Sequence, residues 1–144
     1  RPVGEVVSAH EHALFHVVIN GSERKFLGEE FQLNSDLVHL ENNRSDIVHK
    51  HAEGVTWSMF LQTLDIEVNQ SENLCIQIGS NRSCGNGSVV LNGEQKVSLD
   101  GEISQGDNLL IILDSRSEDN LTEEYMDKKL PRDYRSVPIK GRSV

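Results

Sequence analysis

The 144-residue chain reads as an α+β domain, built mostly of strands around one main helix, and three observations predict this. Ala13, Phe15, Val17 and Ile19 alternate with His12, Leu14, His16 and Val18, the period-two pattern of a strand. Trp57, Phe60, Leu61 and Leu64 recur at i, i+3, i+4 and i+7 behind Thr56, which gives one apolar helical stripe with an N-cap. The run 108–113 follows Gly106-Asp107 and is continuously apolar after Asn108, as expected of a central strand buried on both faces.

The remaining elements follow in order. Asn20-Gly21 is a strong hairpin signal, with 25–27 as the expected return strand. Short strands are expected at 32–33 and 37–41, then a polar turn over 42–46 and a strand over 47–51. After the helix, 74–78 reads as a strand. Residues 88–91, Asn92-Gly93 and 96–99 read as a second hairpin. Residues 10–114 make the expected domain. Beyond Asp114 the composition turns charged, with Pro131 and Pro138 and only scattered apolar residues, so 115–144 is expected to be an extended arm. Tyr125, Leu130, Tyr134, Val137 and Ile139 are its candidate anchors. Residues 1–9 form a shorter arm, whose Val3, Val6 and Val7 suit addition to a sheet edge.

A net charge of −9 argues against non-specific nucleic-acid binding, which needs Lys and Arg to neutralise phosphates. No apolar run approaches the 18 or more residues of a membrane span. A chain that begins at Arg1 with no leader fits a processed secretory product. Asn-x-Ser/Thr sequons begin at Asn20, Asn43, Asn69, Asn81, Asn86 and Asn120, each in a stretch that reads as turn or loop. Asn and Ser are also common in turns for their own reasons, but six sequons favour a secreted, N-glycosylated protein. Cys75 and Cys84 read as one disulfide closing a short loop, the alternative being two reduced, buried thiols.

All six histidines lie before Ala52, in two groups that each contain a His-x-His pair: His10, His12 and His16, then His39, His49 and His51. Residues two apart in a strand share a face, so each pair presents two imidazoles side by side. Centring a hairpin on Arg44 places His39 opposite His49, with His51 on the same face. His12, His39, His49 and His51 are therefore the core candidates for a metal site, with His10 and His16 as outer ones. Convergence requires the segment around His39 to His51 to fold back over the first strand. Imidazole ligands suit copper(II), zinc or nickel better than calcium or magnesium, and the lack of Met or Cys disfavours copper(I). The alternative is six ordinary histidines on a polar strand face. Glu11, Glu41 and Glu53 are the nearby acids. No nucleophile elbow, phosphate loop or His-Glu-x-x-His motif is present, so no enzyme activity is expected.

The hairpin at Asn20-Gly21, the helix at 56–64 and the closing segment Val89-Val90-Leu91-Asn92-Gly93, Ile103-Ser104-Gln105-Gly106-Asp107 and Leu110-Ile111-Ile112 resemble the β-grasp fold. The nearest branch is the small sulfur-carrier proteins of thiamine and molybdopterin synthesis. The resemblance covers 13–27 and 56–113 and implies a mixed sheet, with 28–55 as a histidine-containing hairpin insertion. Sulfur carriers end in Gly-Gly after the last strand. Here Asp114-Ser115-Arg116 follows instead, so the resemblance brings no carrier chemistry. His10-Glu11-His12 with His49-Lys50-His51 is also similar to secreted, histidine-rich archaeal proteins. The expectation is a secreted, non-enzymatic structural protein that carries N-linked glycans and a copper or zinc site, and that self-assembles through its arms into a filament or surface array. The alternative is a monomeric extracellular copper- or zinc-binding protein.

Overall fold

The computed structural model describes residues 2–96 and 98–114; the expected arm 115–144 and its sequon at Asn120 lie outside the described residues. The described chain is α+β. It runs β1 (Glu11–Ile19), β2 (Ser22–Arg24), β3 (Val38–His39), β4 (Ile47–Lys50), α1 (Trp57–Thr63), β5 (Ile66–Asn69), β6 (Leu74–Ile78), β7 (Asn81–Leu91), β8 (Glu94–Gln95) and β9 (Asn108–Asp114). One curled sheet takes the order β3-β4-β1-β9-β7-β6-β5, with β2 beside β1 and β8 beside β7. It is mixed, because β1 and β9 run parallel while their other partners are antiparallel. All seven residues of β9 are buried, as a strand flanked on both edges and both faces must be.

Both Asn-Gly turns form with positive φ at both positions, 53° and 81° at Asn20-Gly21 and 54° and 83° at Asn92-Gly93. That is the type I′ conformation, which starts strand pairing at once. The return strands are consequently Ser22–Arg24 and Glu94–Gln95, not the expected 25–27 and 96–99. Phe26 instead leaves the sheet for the core, where it stacks on Phe15 at 5.7 Å. The backbone of Leu99 and Gly101 accepts from Ser58 and Trp57 at the start of α1. The expected strand 32–33 is only a bridge from Gln32 to Leu40 after a 3-10 turn at Glu29–Phe31. Strand β5 carried no sequence signal that singled it out.

Thr56 caps α1 as expected, its Oγ1 accepting from Met59 N at 3.2 Å. The helix lays Trp57, Phe60 and Leu61 on the inner face of the sheet, where Phe60 meets Phe15 edge-on at 5.0 Å. The turn before β9 is tied to this core. Asp107 accepts from Trp57 Nε1, Ser104 N and Asn92 Nδ2. Gly87 marks where β7 passes from β6 to β9, and a Cβ there would run into Leu74 and the carbonyl of Ile112. Cys75 and Cys84 are a directly opposed pair on β6 and β7 and are disulfide-bonded.

Two expectations about position change. Asn20 and Asn43 sit in turns, but Asn69 closes β5, Asn81 opens β7 and Asn86 lies within β7 opposite Asp114. Polar residues there belong to strands with solvent-facing sides, so polarity alone misplaced them. The described part of the N-terminal arm lies along its own chain, with Gly4 N donating to Glu53 O, Ala9 N to His51 O, and Glu53 N to Ser8 Oγ.

Candidate metal centre

Strands β1, β4 and β3 lie side by side, and their register builds the site. His12 opposes His49, and His49 opposes His39, so three imidazoles form one row across three strands on a single face. Strand parity adds Glu41 two residues beyond His39, and His51 and His10 two residues from His49 and His12. The inner face of the same strands carries Ala13, Val38, Val48 and the buried Lys50. Lys50 Nζ donates to Glu11 Oε1 at 3.0 Å, Glu102 Oε2 at 2.9 Å and Ile103 O at 2.7 Å, so all three of its protons are used. The fold-back over the first strand on which convergence was expected to depend does not occur; β4 instead joins the sheet beside β1.

Five of the six histidines come together. Ring centroids are 5.9 Å apart for His10–His12, 4.7 Å for His12–His49, 6.0 Å for His39–His49, 5.0 Å for His39–His51 and 5.6 Å for His10–His51. His16 shares their parity but lies four residues beyond His12, roughly 13 Å along an extended strand. It opposes Leu110, and its Nδ1 is 2.7 Å from Glu23 Oε1, which gives it a partner of its own outside the cluster.

His39 has the most informative environment. Its Nδ1 is 2.7 Å from the Ser35 carbonyl, which can only accept, so Nδ1 carries a proton. Its Nε2 is 3.1 Å from Glu41 Oε1, another acceptor. A neutral ring in this tautomer would set a lone pair against a carboxylate. A metal ion on Nε2, shared with Glu41, would satisfy the contact. A ring nitrogen held by a backbone carbonyl while the other faces outward is the usual arrangement of a metal-bound histidine.

His49 adds a second sign. Its Nδ1 lies 3.5 Å from the same Glu41 oxygen, yet it is buried without a hydrogen-bond partner. Burial pushes the His49 imidazolium down to about 4, against the pull of Glu41 and with help from His12, His39 and His51. Burial, then His39 and His10, moves His51 in the same direction. These rings are thus held neutral near pH 7, the form that binds metals.

One donor atom from each of His39, Glu41 and His51 falls within 4.8 Å of the others. Ligand atoms in a tetrahedral zinc site with bonds of about 2.0–2.1 Å stand about 3.4 Å apart, so closing on an ion takes only small side-chain rotations. Glu41 was legible only as a nearby acid, although its i+2 spacing from His39 already put both on one face. The Ser35 carbonyl left no trace in the sequence, because any residue supplies a carbonyl. No known protein family, curated protein or solved structure matches this chain.

Proposed function

We propose that this chain is an extracellular, non-enzymatic protein that binds zinc or copper(II) through His39, Glu41, His49 and His51. The observation that carries the reading is the His39 ring, fixed by Ser35 on one nitrogen and aimed at Glu41 with the other. The orphaned Nδ1 of His49 beside the same carboxylate supports a fourth donor. Three imidazoles and one carboxylate, with no sulfur, favour these two ions over copper(I). Bound there, the ion would fasten the insertion strands β3 and β4 to each other at the edge of the sheet.

The extracellular part of the reading is supported by the disulfide, which persists in oxidising compartments, and by exposed sequon residues at Asn43, Asn69 and Asn81. The β-grasp-like reading is supported by the parallel contact of β1 and β9 and by α1, the one α-helix among the described residues, on one face. It concerns the fold alone. Assembly through the arms is a second reading, favoured by Val6 and Val7, which are 45% and 82% exposed. Its larger part concerns 115–144.

Titration of metal-free protein with zinc and with copper(II), followed by calorimetry, tests the metal reading. We expect saturable binding that falls about tenfold or more in a His39→Ala, His51→Ala variant, since even losing an outer-shell partner costs that much. Equal binding by the folded variant would overturn it.

A further inference from the structure

The cluster holds more donors than one ion takes. A structural zinc site uses four ligands, and here five imidazoles and a carboxylate share one face. Their arrangement is also divided. The rings close a circuit from His10 through His12, His49, His39 and His51 back to His10, and the His49–His51 pair, 6.3 Å apart, crosses it. On the β3 side of that crossing lie His39 and Glu41; on the β1 side lie His10 and His12. His12 and His39 stand on strands two apart, roughly 9–10 Å between Cα atoms. The carboxylate serves only one half, because Glu41 contacts His39 and His49 from the β3 side.

We propose that the face binds two ions: one at His39, Glu41, His49 and His51, and a second at His10 and His12 above β1. This rests on the reading of the first site given above. The second position has two protein ligands, no carboxylate from Glu41, and an exposed member in His10, so the rest of its coordination is open to water or an incoming ligand. It is the weaker and faster-exchanging of the two. An ion over the β3–β4 gap and one above β1 are separated by about one and a half strand spacings, about 7 Å. The second ion is therefore the one this protein can pass on or take up, while the first holds the strands together.

Copper(II) alone, added stepwise to the full metal-free chain, tests this by calorimetry and electron paramagnetic resonance. The expected result is two equivalents, the second bound at least about tenfold more weakly, with a half-field signal from coupled copper pairs appearing only past the first equivalent. His10→Ala, at an exposed position, should weaken the second step about tenfold and leave the first within about twofold. His10→Ala, His12→Ala should abolish the second step, and Glu41→Gln should weaken chiefly the first. One equivalent with no half-field signal, or a His10→Ala variant that weakens the first step as much as the second, overturns the two-ion proposal and leaves the single site standing. Absence of any binding overturns the single site as well.

Discussion

At the residue scale, His49 shows what a histidine on this face gives up. Its ring lies among three other imidazoles and one carboxylate, and burial outweighs the carboxylate, leaving its folded-state value at about 4. An unfolded histidine titrates near 6.5, so between those values the unfolded chain holds more protons than the folded one. The contribution of His49 to stability then rises with pH across this window, and is lost as pH falls from about 6.5 towards 4. His51, lowered for the same main reason, adds to the loss. Thermal unfolding of metal-free protein from pH 7.5 to 4.5 should show a falling Tm in that interval, shallower in His49→Gln. A Tm independent of pH there would mean the rings are not packed as described. Glu41→Gln bears on the same residues from the other side. It keeps the side chain's shape and removes its charge, so metal affinity should drop about tenfold while the far-ultraviolet circular dichroism is unchanged.

Elements set how much of this was legible. Strand parity was enough to place His39, His49 and His51 on one face, and a hairpin centred on Arg44 gave the observed His39–His49 pairing. Parity says nothing about which strand lies next door, so the joining of β4 to β1, which brings His12 beside His49, could not be read. The type I′ turns were visible as Asn-Gly, yet the return strands were misplaced, because Phe26 looked like a strand residue when it serves the core. Lys50 was the least legible of all, since Glu11 and Glu102 are 39 and 52 residues away. It is buried and bonded to both acids beneath the site. Lys50→Ala removes a buried ammonium and leaves Glu11 and Glu102 without it. Breaking a buried pair costs about 3–5 kcal/mol, and these acids keep some solvent, so a loss of about 2–3 kcal/mol is expected in urea unfolding. A loss below about 1 kcal/mol would show that the ion pairs contribute little to holding β4 against β1.

Across the whole molecule, two fasteners act at opposite ends of one sheet. The disulfide ties β6 to β7, and the proposed metal ties β3 to β4 beside β1. Strands β6 and β4 are four places apart in the sheet order, about 19 Å along the sheet at the usual strand spacing. Between the two fastened pairs lie β1 and β9, whose side chains belong to one continuous core with α1. Sites separated by more than about 7–10 Å with no shared partner contribute independently. The disulfide closes a loop of about ten residues, for which chain entropy gives about 2.7 kcal/mol. Zinc at about 100 times its Kd adds about 2.7 kcal/mol by mass action. Removing zinc with a chelator, replacing Cys75 and Cys84 with Ser, and doing both should therefore give losses that add to within about 0.5 kcal/mol. A coupling above about 1 kcal/mol would mean that the two ends communicate through the β1–β9 centre. In that case the disulfide would shape the metal site as well as its own hairpin, and metal affinity itself would change in the Cys75→Ser, Cys84→Ser protein.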